Sequence, residues 1–270
     1  MDDLGDTGDR AKENGKEKPS GRAPEGMGGL AKGLAIIEAF SLQHREMSVA
    51  RAAQAAGISR ASARRCLLTL TELGFLRRIG PSYLPTPRML RLGEAYFEAT
   101  SLPQLAQPHL DMARDALNES VSLAVLQDDV AVFVARAQVA RPVATYARLG
   151  IALPAYASAT GRVLLAARSD EEIEAYLDRA EIVSHSPKTV VDRGRILELI
   201  MTARESGYSL SSEQFELGIF ALALPVFDAK GDTVASISIS ASMARMSPEQ
   251  AEREYLPVLR ERADAISRML

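Results

Sequence analysis

The sequence predicts an α+β chain of two domains: a winged helix-turn-helix, a linker helix, and then an antiparallel sheet flanked by helices. Three observations predict it. Between residues 30 and 88 three short helical patterns are followed by a hairpin signal. From residue 121 the hydrophobic period changes from that of a helix to two. Between residues 45 and 91 nine arginines stand against two acids, in a chain whose formal net charge is -3.

A length of 270 residues suits two domains. Trp is absent and aromatics are 5%, so both cores must rest on Leu, Ile, Val and Ala. The single cysteine, Cys66, cannot form an internal disulfide, so the fold does not depend on an oxidising compartment. It falls on the apolar side of its helix and reads as a buried thiol. His44, His109 and His185 are far apart, and no Cys/His cluster has zinc-ligand spacing, so no metal or cofactor is expected. No apolar run reaches the roughly 18 residues that span a bilayer. Asp2, Asp3, Asp6 and Asp9 open the chain with no apolar stretch after them, unlike a secretion signal. The expected location is cytoplasmic and nucleoid-associated.

Residues 1–29 are polar and Gly-rich, with too little apolar surface to offset their chain entropy, and read as a disordered tail. LAKGLAIIEAFS then places Leu30, Leu34, Ile37 and either Ala39 or Phe40 on one helical face. MSVARAAQAAG has Ser48 as N-cap and stops at Gly57. ISRASARRCLLTLTELGF is capped by Ser59, carries a stripe of Ala63, Cys66 or Leu67, Leu70 and Leu73, and ends at Gly74. Gly80-Pro81 marks the turn of a hairpin. Residues 30–88 are therefore the helix-turn-helix domain and 89–102 the linker helix, with interruptions at Pro103 and Pro108 before a further helix.

Residues 103–270 form the second domain. VSLAVL and VAVFVA make a hairpin about Asp128-Asp129, and PVATYA a further strand. TGRVLLAAR, DEEIEAYLDR and DRGRILELIMTARESG read as helices. IFALALPVFD and DTVASISIS are strands joined at Ala229-Lys230-Gly231, and a closing helix begins with the capping box Ser247/Gln250.

The charge points to double-stranded DNA. All nine bases in residues 45–91 are arginine, whose planar fork suits phosphate and the guanine edge. Arg60, Ser62, Arg64 and Arg65 lie in the first two turns of the third helix, away from the Leu67/Leu70 stripe, where a recognition helix meets base edges. Ser48 and Ser59 open helices whose N–H groups can meet phosphates. Arg77, Arg78 and Arg88 on the wing would hold the backbone or enter the minor groove.

An enzyme is the competing class. There is no G-x-S-x-G elbow, phosphate-binding G-x-x-x-x-G-K-[ST] loop, dinucleotide fingerprint or H-E-x-x-H pair, so none is expected. A purely architectural DNA-binding protein would not need so large a second domain.

AKGLAIIEAF, SVARAAQAAGISRASARRCLLTLTELGFL and LPTPRMLRLG resemble the DNA-binding half of the IclR family. RLGIALPAYASATGRVLLA and SSEQFELGIFALALPVFDAKGDTVASISIS resemble its effector-domain signatures, so the resemblance covers residues 30–270. Arg64-Arg65 before CLLTLTELG, and LPTPRMLRLG, resemble the subgroup that controls breakdown of protocatechuate, 4-hydroxybenzoate or catechol, which contains activators and repressors. The family implies a GAF-like effector domain, a homodimer or homotetramer, and a palindromic operator. It also implies a small organic acid effector, aromatic or dicarboxylic, in a pocket between the sheet and the ATGR loop. By motif position, Ala159, Thr160 and Gly161 would offer backbone donors, and Ser238 and Ser240 hydroxyls. Ser211, Ile219 and Ala221 would line the pocket, and Arg148 would meet the acid group. Members that bind small carboxylates can carry an acid and a cysteine where this chain has Ser211 and Ala221, and the smaller residues leave room for a ring. A non-aromatic carboxylate is the alternative effector. Effector binding would move the linker helix (about 88–101) and change the spacing of two recognition helices, which DNA half-sites set at roughly 34–36 Å.

Overall fold

The structure, a computed structural model, describes residues 26–41, 44–140 and 148–270. It divides into two compact units, the first ending at Glu94 and the second running from Ala95 to Leu270. The expected tail before residue 26 and the expected strand PVATYA lie outside the described residues.

In the first unit the helices are α1 (Gly28–Glu38), α2 (Val49–Ala55) and α3 (Arg60–Glu72). Strands β1 (Met47–Ser48), β2 (Leu76–Ile79) and β3 (Ser82–Pro85) form a small antiparallel sheet in the order β1-β3-β2. The caps arise locally: Ser48 accepts from the Arg51 N–H and Ser59 from the Ser62 N–H. Gly57, Gly74 and Gly80 have φ of +63°, +78° and +57°, a region costly for other residues, and they close α2, α3 and the wing turn.

The buried face of α1 is not the one expected. Ile36 is its fully buried residue, flanked by Ile37 and Phe40, while Leu30 and Leu34 are exposed. Ile36 and Phe40, four apart, form a stripe rotated from that of Leu30 and Leu34. In α3 the stripe is Ala63, Leu67 and Leu70; Cys66 is half-buried and Leu73, at the C-cap, is exposed.

After a 3₁₀ turn at Pro87–Met89 comes α4 (Leu90–Ala99), within which the two units divide. The helix α5 (Leu102–Leu117) is continuous, contrary to the expected interruptions. Pro103 stands in its first turn, where no intrahelical N–H is needed. Pro108 is inside the helix, between Ala106 and Leu110, which are fully buried in the core.

The second unit is built on a six-stranded antiparallel sheet in the order β6-β5-β4-β9-β8-β7. The strands are β4 (Ser120–Gln127), β5 (Val130–Ala137), β6 (Ala152–Pro154), β7 (Ser209–Ser212), β8 (Ile219–Phe227) and β9 (Thr233–Ser242). β6 and β7 went unpredicted because three and four residues are too short to show a period. The helices are α6 (Ala159–Ala166), α7 (Asp170–Arg179), α8 (Arg193–Ser206) and α9 (Pro248–Ser267), the last with the expected Ser247/Gln250 capping box.

The two faces of this sheet differ in side-chain size. Phe220, Leu222, Leu224, Ile237 and Ile239 pack with residues of α5 and α9 in the main core. The alternate positions Ala221 and Ala223 pack instead with Ala159 and Val163 of α6. Small residues on that second face keep it from filling, which leaves room for a cavity. Among the described residues no helix is long and apolar enough to cross a membrane.

Candidate functional site

The sheet register assembles the second unit's site. Ser209, Ala223, Ser238, Ser122 and Arg136 stand opposite one another in a row across five strands. The next row on that face is Ser211, Ala221, Ser240 and Ser120. Residues two apart along a strand share a face, so serines from three strands meet beneath α6.

The cavity over these rows is small, about 70 Å³. Its apolar wall is formed by Phe133, Leu153, Phe215, Ile219, Phe220 and Ile239. Its hydroxyl groups come from Ser122, Ser158, Thr160, Ser211, Ser238 and Ser240, with Gln214 and Glu216 beside them. Burial pushes the Glu216 carboxyl above its ordinary range. An apolar slot with a few converging polar groups suits a small ring or short chain bearing an acid group.

Of the expected effector residues, Ala159, Thr160, Ser211, Ile219, Ala221, Ser238 and Ser240 all line this cavity. Gly161 and Arg148 do not. The Gly161 N–H donates to Ser158 Oγ at 3.0 Å, so it is already used within the chain. A Cβ at Gly161 would stand 2.3 Å from the Ala155 Cα, so the glycine is required by close packing of α6 on the turn before it. The first-turn N–H groups of Ala159 and Thr160 are the remaining donors of that helix start. Arg148 is exposed at the turn that Gly150 closes.

Among the described residues, two cations that sequence reasoning missed bond residues of the cavity wall. Arg136 Nη1 donates to Ser122 Oγ at 2.8 Å. Arg162, wholly buried on α6, donates from Nε to the Tyr156 carbonyl at 2.9 Å and from Nη2 to Gln214 Oε1. Arg136 falls in the alternation of β5, and Arg162 within the ATGR motif itself. Only the register and the burial reveal their position.

The loop carrying Gln214 is clasped by its neighbour. Thr189 Oγ1 donates to the Gln214 carbonyl at 2.6 Å and Ser186 Oγ to that of Glu213 at 2.5 Å. Tyr156 Oη donates to the Val183 carbonyl at 2.8 Å, and the His185 ring lies 4.7 Å from that of Phe215. The segment 183–189 thus holds Gln214 and Phe215 over the cavity.

In the first unit, Arg60, Arg64, Arg65, Arg77 and Arg78 are exposed. Arg51 contacts His44 Nε2 at 2.6 Å, Arg78 Nε donates to the Gly80 carbonyl at 2.9 Å, and Arg88 lies over the Phe75 ring at 5.3 Å. Ser62 departs from expectation: it is 8% exposed and its hydroxyl is 3.1 Å from that of Ser59. It stands beside Ala63 at the edge of the buried stripe, turned from the arginine face.

Comparison with known proteins gives two family matches. Residues 29–80 match the IclR helix-turn-helix domain, and residues 94–268 the C-terminal domain of bacterial transcriptional regulator IclR. The chain is 35% identical to the Pca regulon regulatory protein of Pseudomonas putida over 87% of its length and 81% of that protein's. It is 34% identical to the p-hydroxybenzoate hydroxylase transcriptional activator of Acinetobacter baylyi, over 92% and 94% of the two chains. An IclR homologue from Microbacterium hydrocarbonoxydans, solved with 4-hydroxybenzoate, superposes with a TM-score of 0.76 at 25% identity, over 89% of this chain and 98% of that one.

Proposed function

This chain belongs to the IclR family of bacterial transcriptional regulators, and from that premise we propose that its effector is a small aromatic acid and its targets are genes of aromatic-acid breakdown. The observation that carries the reading is the cavity, where seven residues singled out by motif position meet. Phe133, Phe215 and Ile219 supply faces for a ring, and the Ala159 and Thr160 N–H groups a helix-start site for a carboxylate. The named relatives support the same chemistry. The pocket is assigned to ligand binding rather than to catalysis.

Exposed Arg60, Arg64 and Arg65 on α3 are assigned to base edges, and Arg77 and Arg78 on the wing to the phosphate backbone or minor groove. The limits adopted are 30–88 for the DNA-binding domain, 89–102 for the linker helix and 103–270 for the effector domain. Leu30 and Leu34 on α1, and Leu90, Leu92 and Tyr96 on α4, are exposed apolar residues that favour a homo-oligomer, which a palindromic operator requires. A cytoplasmic, DNA-associated location belongs to the same reading. The effector acts by binding two conformational states with different affinity.

The test is a thermal-shift screen with 4-hydroxybenzoate, protocatechuate, catechol, cis,cis-muconate, β-ketoadipate, glyoxylate and pyruvate. At about 100 times its dissociation constant a true effector stabilises by roughly 2.7 kcal/mol. A shift with an aromatic acid, abolished by Ser238→Ala with Ser240→Ala while DNA binding persists, is the expected result. A shift only with glyoxylate or pyruvate would replace the aromatic reading with the short-carboxylate one.

A further inference from the structure

Among the described residues Arg162 is the largest fully buried side chain, and it is a cation. No carboxylate pairs with it among the described residues. Its two hydrogen-bond partners, the Tyr156 carbonyl and Gln214 Oε1, are both neutral, and Nη1 is buried without a partner. Burial, reinforced by the neighbouring Arg195 charge, lowers its pKa to about 10, so it stays charged near neutrality. A buried charge with no counterion is costly, and such groups concentrate at functional sites.

The chemistry of the pair fixes what reaches the cavity. A guanidinium can only donate, so the Gln214 side chain must turn its one acceptor, Oε1, toward Arg162. The opposite end of the amide is then Nε2, with two N–H donors. Gln214 is a wall residue of the cavity, and its backbone is held by Thr189. With Oε1 engaged by Arg162, Gln214 has its two Nε2 donors to offer a ligand. The cation pulling on Oε1 polarises the amide and strengthens those donors.

We propose that Gln214 is a specificity-determining residue of the pocket, its Nε2 donating to an anionic oxygen of the effector, and that Arg162 is the positioning residue that locks it as a donor. This rests on the reading of the cavity as an effector site, but not on the effector being aromatic. It also accounts for a buried arginine on α6: the positive potential that meets no carboxylate among the described residues is met by the carboxylate of the ligand.

Binding of 4-hydroxybenzoate, its neutral methyl ester, protocatechuate, β-ketoadipate, glyoxylate and pyruvate to the full-length protein, followed by calorimetry, tests it. Gln214→Leu should weaken the acid that wild type binds roughly 10- to 100-fold, the loss of one charge-assisted hydrogen bond. It should also erase the preference for an acid over its ester. Gln214→Glu separates this role from a merely structural one. A carboxylate there supplies Arg162 with its missing counterion, so melting temperature should rise while binding of the anion is lost. Equal affinity in wild type and Gln214→Leu would overturn the proposal and leave the effector reading intact. Binding of an aliphatic acid alone, lost in Gln214→Leu, would keep the proposal and remove the aromatic reading. Wild type that binds none of these acids at millimolar concentration would overturn both.

Discussion

The two halves of the molecule use arginine in opposite ways. In the second unit Arg114, Arg168, Arg179, Arg193, Arg195, Arg204, Arg245 and Arg262 each meet an Asp or Glu. In the first unit nine arginines share a segment with two acids, and none has a carboxylate partner among the described residues. Those that touch protein touch His44, Gln54, the Gly80 carbonyl or the Phe75 ring. Charges compensated within the chain hold the fold together. Charges left uncompensated on a surface are available to an external anion, which under the proposed function is DNA. Arg162 lies in the second unit but, with only neutral partners, resembles the arginines of the first.

Removing a charge from one half or the other should have opposite consequences. The largest effect is expected from Glu119→Ala. Glu119 is 4% exposed and takes a two-pronged contact from Arg245, so its loss should cost about 2 kcal/mol, between the values for surface and buried pairs. Thermal unfolding of the second unit reads this, and DNA affinity measured well below the melting point should not change. Arg65→Ala should do the reverse: operator affinity falls by about 1–3 kcal/mol and melting temperature holds. Equal losses of stability in these two variants would erase the distinction between the halves.

Smaller effects are expected on the wing and at the exposed ion pairs. Arg77→Ala, on the wing, should weaken binding about equally to all sequences and lower the slope of log affinity against log salt by about 1. An unchanged slope would take Arg77 off the phosphate backbone. Arg195→Ala removes an exposed pair with Glu198 and should alter stability by less than about 0.5 kcal/mol, with no effect on DNA binding. A larger loss would mean that the exposed pairs of the second unit are tighter than their exposure implies.

What could be read from the sequence was what is decided locally. Ser48, Ser59 and Ser247 cap helices because the chemistry lies within three residues of each. Ser238 and Ser240 were placed on one face by the two-residue period of β9, and the register confirms that placement. Tertiary packing decided the rest. Ile36 and Leu34 are equally apolar, and only the position of α2 and α3 decides which is buried. Motif position puts Arg148 at the cavity because it precedes the ATGR loop, yet it stands exposed, while Arg136 and Arg162 reach the site through Ser122 and Gln214. Neither contact is visible at a separation of 14 or 52 residues along the chain. Ser62 looked like a surface residue because its neighbours Arg60 and Arg64 are.

Under the proposed function, an acid bound between the sheet and α6 changes how the arginines of the first unit hold DNA. Fluorescence anisotropy of a labelled duplex, selected by the protein from a random pool, would measure affinity with and without a saturating aromatic acid that shifts the melting temperature. The expected change is roughly 5- to 150-fold, in either direction, and is lost in the Ser238→Ala, Ser240→Ala variant. Identical affinity with and without the bound acid would contradict it.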